Sequence, residues 1–452
     1  MPFVPPFPPR TGHDSNLAVL RAMRRNLISV FPDEAFEVDS IYYKMLRLPG
    51  IICNSPETVR QVFVDDAANV ESKSPQMVHA LRPLLGNGLF VSDGEHWAKH
   101  RRIVTPLTHI SRLAQLIPAI TGAMARRAEA WQAARGTEID LLADMAELTA
   151  DVIGRAVFGG KLGAAAATQV VANFSAYQKT VEQMDLISLL GLPDFFPRWH
   201  GRATLRAADR IKTLVAETIA ALETAEPEDR GALASLMVDA FQAEGVAPDD
   251  IRDEATVLLM AGHETTANTL AWAWYCLSQD EASWQALAEE VRALGRPPTD
   301  LEDVKRLPFA RAVIDETLRL YPPVPFLSRR SREARDVDGH HMPARSLVMI
   351  VPWLLHRHRK HWRDPDLFDP WRFMPGGSGV PDRYCYIPFS IGPRICTGMA
   401  FALTEATICL ATLALIARPM PRRGHVVMPV ARLSLRPGDD LPMVLTPGVM
   451  AA

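Results

Sequence analysis

Two stretches of this chain carry residue types that could do chemistry. The first is Phe389-Ser390-Ile391-Gly392-Pro393-Arg394-Ile395-Cys396-Thr397-Gly398, just ahead of an apolar helical run from about Thr397 to Ala417. A free cysteine is most often a small buried hydrophobe. At a helix N-terminus, however, the dipole and unpaired N–H groups favour the thiolate, the form that binds metals. Gly392 and Gly398 remove side chains on either side, which leaves room for something flat and bulky, and Arg394 could pair with an anionic group on the same object. The second stretch is Ala261-Gly262-His263-Glu264-Thr265-Thr266, which interrupts an otherwise apolar helical pattern. Thr265 can return its hydroxyl to the carbonyl of Ala261, four residues back. For an isolated Thr pair the plain reading is a polar contact with a neighbouring helix. In a helix this long, buried polar groups are costly unless used.

Other candidates read more plainly. His263-Glu264 would begin an H-E-x-x-H zinc motif, but the second histidine position is Ala267. His356, His358 and His361 alternate with Arg357, Arg359, Lys360 and Arg363 and read as solvated basic surface. Glu316 and Arg319 share a helix face at i, i+3, which alone is usually a surface salt bridge of little worth.

The elements that position these residues are mostly helical. Apolar residues recur at helical spacing from about Asp14 to Pro325. The longest predicted helix runs from about Asp249 to Gln279, with Pro248 before it and Asp249 or Asp250 able to cap it. Short strands are predicted near Tyr42–Leu48, Ile51–Cys53 and Leu347–Val351. In the tail, Arg432–Arg436 and Met443–Leu445 flank a Gly438-Asp439-Asp440 turn as a hairpin. The fold class is mainly α with a minor β-sheet region.

Composition bounds the rest. The chain has 452 residues, a formal net charge of -3, 48% hydrophobic and 22% charged residues, which describes a soluble globular protein. With no basic surplus, neither nucleic acid nor an anionic membrane is expected as a partner. The 5 cysteines are irregularly spaced without a C-x-x-C pair, so no disulfide framework is expected. Met1–Arg10 lacks the features of a signal peptide, and the longest apolar run, Ala406–Ala417, is too short to span a bilayer. A cytoplasmic protein without a membrane anchor is expected. No linker divides residues 1–452, so a single domain is predicted.

The segment around Cys396 resembles the F-x-x-G-x-R-x-C-x-G signature of the cytochrome P-450 family of haem-thiolate monooxygenases at all fixed positions. The resemblance implies haem b as cofactor, Cys396 as its axial thiolate ligand, Arg394 as a propionate partner, and Phe389 and Gly398 beside the haem. Further matches come in family order. Trp97 and Arg101 reproduce W-x-x-x-R, whose members resemble propionate ligands, and Arg329 falls where relatives place another. Glu316 and Arg319 form the family's E-x-x-R pair, joined by Arg372 of Pro370-Trp371-Arg372-Phe373 in a structural role. Ala261–Thr266 resembles the family's acid and alcohol motif, which makes Glu264 and Thr265 the catalytic proton-delivery pair. The cytochrome P-450 fold and a soluble bacterial-type monooxygenase are therefore expected, inserting one atom of O2 into an organic substrate by hydroxylation or epoxidation.

Phe90, Leu258, Ala261, Val324 and, in the tail hairpin, Leu433 form a candidate substrate ring, and their side chains imply an apolar substrate. No flavin domain, dinucleotide fingerprint or Fe–S cysteine set marks a fused reductase. Electrons are expected from a separate ferredoxin or flavodoxin with its reductase, docking on Lys99, Arg101, Arg102 and Arg357–Arg363. A peroxide-driven peroxygenase and a non-catalytic haem-binding sensor are the alternatives. Both fit less well, because neither needs the Glu264-Thr265 pair.

Overall fold

The computed structural model describes residues 3–12, 15–182, 185–190, 192, 196, 198–224 and 233–451; Met1, Pro2 and Asp14 lie outside them. The longest helix, Pro248–Gln279, has 32 residues and so extends about 48 Å. Pro248 takes the first helical position, where its missing N–H costs nothing. Ala247 is the N-cap, so Asp249 and Asp250 do not cap the helix; they lie in its first turn, at the positive end of its dipole.

This helix threads two apolar cores. Its first half, Ile251 to Met260, packs with helices Leu141–Phe158, Arg202–Glu223 and Leu233–Ala243. Its second half, Ala267 to Leu277, packs with helices Pro308–Leu320 and Met399–Ile416. There Trp272 stacks face to face on Tyr321 with centroids 3.6 Å apart. Residues 261–266 belong to neither core. Helix Met399–Ile416 has 18 residues and a mean hydropathy of 1.9, long and apolar enough by composition to cross a membrane, and 78% of it is buried within the protein. It exceeds the Ala406–Ala417 run read from sequence because Met399, Phe401 and Leu403 extend the apolar pattern backwards.

The sheets are small, as predicted. The main one runs Ser40–Met45, Leu48–Cys53, Leu347–Ile350, Leu327–Arg330. Its middle pair is parallel, with Ile51 opposite Val348. The expected tail hairpin does not form. Leu435–Arg436 folds back on Val430–Ala431, while Pro442–Pro447 pairs with Glu138–Asp140 and Ala417–Pro421. Pro437, which cannot donate to a ladder, stops the strand that would have made the predicted pairing.

The histidine run 356–361 also differs from expectation. His356, Arg357 and His358 are buried, because the apolar helix Pro352–Leu355 carries the following residues into the core. Burial, reinforced by Arg319, pulls the His356 pKa down to about 3. The neutral ring bonds the Arg319 carbonyl at Nδ1 (3.2 Å) and accepts from the Ile387 N–H at Nε2 (3.0 Å). Arg357 lies over the Trp353 ring at 3.7 Å. Arg359 pairs with Asp33 and Glu37, and Lys360 with Asp39.

Glu316 and Arg319, on helix Pro308–Leu320, are not a surface pair. Both are 0% exposed, and Arg372 is 2% exposed. The Arg319 fork meets both Glu316 oxygens at 2.6 and 2.7 Å, and its remaining donors reach the carbonyls of His356, Pro365 and Leu367. Arg372 Nε lies 3.6 Å from Glu316 and donates through Nη1 to the Arg363 carbonyl. Removing one member of a buried ion group leaves the others uncompensated. Glu316→Ala is therefore expected to lose about 3–5 kcal/mol of stability, read as a lowered urea midpoint. Arg319→Lys should not restore it, since a lysine cannot supply the two-pronged contact.

Candidate functional site

The gap between the two cores is a cavity of about 260 Å³. The central helix opens onto it at Leu258, Ala261, Gly262, Thr265 and Thr269, residues that share one face. Thr265 Oγ1 donates to the Ala261 carbonyl at 2.6 Å, as the spacing predicts. Phe90 and Val324 line the same space. Leu433 does not. It lines an adjoining cavity of about 570 Å³ that shares Met77, Phe90 and Val324 with the first.

Cys396 lines the first cavity beside Phe389 and Gly398. The other cysteines are buried, and Cys396 alone is exposed. The exposure is towards the cavity, since enough protein surrounds the sulfur for burial to push its pKa up, against the opposing pull of the Gly398 and Met399 N–H groups and of Arg101. The loop is fixed by its own backbone, with the Cys396 N–H on the Phe389 carbonyl at 2.9 Å. Gly392 has a different role from the one the sequence suggests. It has φ +70°, and a Cβ there would lie 2.3 Å from the Phe63 carbonyl oxygen, so it serves the turn and a close backbone approach and is absent from the cavity wall. At Gly398 a Cβ would meet only Cys396 Sγ, at 4.0 Å.

Four cations converge on one end of the cavity: Lys73, Arg101, Arg329 and Arg394. Trp97 joins them, with Arg394 4.4 Å above its ring. Arg101 donates to the Ile395 carbonyl at 2.7 Å, and Arg394 to Asp93 at 2.7 Å and to the Ser92 carbonyl at 2.9 Å. Arg394 Nε and Nη1 are buried without a partner. Burial, with the Arg394 charge, pulls the Arg329 pKa down to about 9, and burial with Arg329 and Arg394 pulls Lys73 well below its ordinary value. Such crowding is costly without counter-charge. Haem b, which the resemblance implies, would supply what is missing: two carboxylates for the cations, a flat apolar body for the cavity and a metal for the thiolate. The residues present fit it. Lys73 escapes a sequence reading because nothing in Lys73-Ser74-Pro75 marks it; Thr269 was within reach, one helical turn beyond Thr265.

Glu264 faces elsewhere. Consecutive helical residues point about 100° apart, and the carboxylate is absent from the cavity wall. Its Oε1 accepts from Ser434 Oγ (2.7 Å), Gln178 Nε2 (3.0 Å) and Asn268 Nδ2 (3.1 Å), with Arg436 Nε at 3.7 Å. Burial opposes ionisation, yet Arg436, His263 and these donors outweigh it and hold the carboxyl below its ordinary range. The sequence therefore joins two residues that the structure separates: Thr265 faces the cavity and Glu264 lies in a polar cluster behind it.

The cytochrome P450 family model matches residues 18–414. Among curated relatives, cyclooctatin synthase of Streptomyces melanosporofaciens is 33% identical over 85% of this chain and 83% of its own. Cytochrome P450 4F12 of Homo sapiens is 29% identical, covering 83% and 76%. The 11-oxo-beta-amyrin 30-oxidase of Glycyrrhiza uralensis is 28% identical, covering 88% and 78%.

The Glu264 cluster predicts a pH dependence. A carboxyl whose folded pKa lies below its ordinary value adds stability above that value and loses it as pH falls through the folded pKa. Arg436→Ala removes the largest charge holding it down. The variant is expected to be less stable at neutral pH and to begin its acid loss at higher pH than wild type, measured as denaturant midpoints across the acid range.

Proposed function

The chain belongs to the cytochrome P450 family, and from that premise we propose which residues carry its monooxygenase reaction and what it acts on. The family binds haem b through a cysteine thiolate, which in this chain is assigned to Cys396. Lys73, Arg101, Arg329 and Arg394, with Trp97, would hold the propionates, and Phe389 and Gly398 would flank the Cys396 side. Bound there, haem supplies the activation of dioxygen, with one atom passing to the substrate and the other to water. The observation that carries this reading is that the cavity-facing cysteine, the cation cluster and Thr265 line one apolar space.

The chain's own groups manage position and protons. The Thr265 proton is engaged with the Ala261 carbonyl, which leaves the hydroxyl oxygen able to accept from water in the cavity. Glu264 is the proton relay behind it, an ionised carboxylate that takes up a proton from outside before passing one on. To face the cavity it must leave Ser434, Gln178 and Asn268, so the polar cluster sets how readily protons are released.

The substrate is a bulky apolar molecule. The two adjoining cavities are walled by residues such as Phe90, Leu258, Val324 and Leu433, and the names of two relatives refer to cyclooctatin and 11-oxo-beta-amyrin. Electrons come from a ferredoxin or flavodoxin with its reductase. Of the basic residues first considered for docking, Arg359 and Lys360 are tied to acids and Arg357 is buried. The helix Gly94–Leu107 beside the signature loop, with exposed Arg102, is the better surface.

The decisive measurement is the absorption spectrum of the ferrous carbon monoxide complex. Wild type should show the red-shifted Soret band of thiolate ligation and Cys396→Ala should lose it; a folded, haem-loaded wild type without that band sinks the assignment. Bulky apolar compounds should shift the spin state where small polar ones do not. Thr265→Ala should retain that shift while forming less product per dioxygen consumed.

A further inference from the structure

Helix Gly94–Leu107 carries His96 and His100 one turn apart, at the i, i+4 spacing that puts both rings on one face. Their ring centroids are 3.9 Å apart, and Asp250, in the first turn of the central helix, lies beside them. One ligand atom from each of the three residues is within 4.8 Å of the other two. We propose that His96, His100 and Asp250 bind a divalent transition-metal ion such as zinc, at a site separate from the haem. Two imidazoles and a carboxylate are a donor set that zinc accepts, with water as the fourth ligand. Tetrahedral zinc holds such donors roughly 3.3 Å apart, so the three must close by about 1.5 Å at most, which side-chain rotation at part-buried His96 and Asp250 supplies.

A second observation is that the rings are already held as metal ligands are. Metal-binding histidines give their other ring nitrogen to a carboxylate or a carbonyl. His100 Nδ1 bonds Glu254 Oε1 at 2.6 Å, with both residues buried, which leaves Nε2 as its ligand atom. His96 Nε2 faces the Asn87 carbonyl at 3.0 Å and Asn87 Nδ2 at 3.1 Å. The carbonyl can only accept, so the tautomer that uses it is protonated at Nε2 and keeps its lone pair on Nδ1. The neighbouring cations are engaged elsewhere, Arg252 with Asp249 and Asp253, and Lys99 with the Glu244 carbonyl. Among the described residues Asp250 is therefore left without an ion pair.

The site stands behind the cavity wall and connects to it. Trp97, Arg101, Leu89 and Glu254 line the cavity, whereas His96, His100 and Asp250 do not. An ion there would join the helix that carries Trp97 and Arg101 to the start of the central helix. Glu254 also accepts the Leu89 N–H at 2.7 Å, so through it the ion would brace the loop that presents Phe90 to the cavity. Three protein ligands and a water suit a reversible modulator of this wall more than a permanent structural centre, which takes four.

Calorimetric titration of zinc chloride into the haem-loaded enzyme tests this. One site of about micromolar affinity or tighter is expected, and the thermal midpoint should rise with zinc and fall back on adding EDTA. Affinity should weaken by about tenfold or more in His96→Ala and in Asp250→Asn, since loss of even a group that supports a ligand costs that much. The carbon monoxide spectrum of each variant should stay that of wild type, which separates loss of the ion from loss of the haem site. If His96→Ala does not fold, Asp250→Asn, which keeps the shape of the side chain, carries the test. Asp39, His358 and His361 also bring together donors for zinc. There Lys360 holds Asp39 at 2.9 Å and both His358 nitrogens are engaged, so His361→Ala should leave the affinity unchanged. Absence of saturable binding, binding in the millimolar range only, affinity unchanged in the folded variants, or affinity lost in His361→Ala instead overturns the proposal.

Discussion

The buried contact between Glu316 and Arg319 is the constraint on which the thiolate loop depends. Two charges at 0% exposure are tolerable only if every donor and oxygen is used, and here they are used to hold chain that is distant in sequence. Arg319 binds the His356 carbonyl. The His356 ring, kept neutral by burial, accepts the Ile387 N–H, whose own carbonyl accepts from Ser390. Next to Ser390, the Phe389 carbonyl receives the Cys396 N–H. A short series of hydrogen bonds therefore runs from the ion pair to the cysteine, and the sulfur's position is set by a group of charges that never meets the cavity.

The cavity itself follows from how the central helix is packed. A helix of 32 residues buried in one continuous core would leave no space along its length. Here the two apolar cores stop at Met260 and resume at Ala267, and the intervening turn carries Gly262 and small or polar side chains. A Cβ on Gly262 would sit 2.7 Å from the Ile153 side chain, so the glycine lets helix Leu141–Phe158 approach closely beside the face on which Thr265 opens to the cavity. The polar interruption costs packing energy locally and is compensated by hydrogen bonds: Thr265 to Ala261, Thr149 to the His263 carbonyl, and three donors to Glu264.

Much of this could be read from the sequence, because the informative signals are local. Helical spacing located the central helix to within a residue or two, and the i, i+4 geometry gave the Thr265 bond. Fixed spacing tied Cys396, Arg394 and Phe389 into one loop. Long-range facts were not legible. Lys73 joins Arg329 and Arg394 only through the fold, and the charges of residues 356–361 look solvated until the 33–39 segment and Trp353 are packed against them. The tail pairing failed for a related reason: strand alternation predicts strands, but Asp140 accepting the Leu441 N–H and the edges of two other strands chose the partner. Separating Glu264 from Thr265 needed only the 100° step of the helix, and the motif's habit of pairing them obscured it.

A net charge of -3 says nothing of where charge sits, and in this protein its distribution is sharply uneven. Acids of the 33–39 segment cancel the basic run at 356–361, so that face is close to neutral. On the opposite account, Lys73 and Arg329 are buried with Arg101 and Arg394 part-buried beside them, and the nearby acids are Asp93 and Glu71. Such a cluster calls for further counter-charge, which under the proposed haem assignment the acidic edge of haem b would supply.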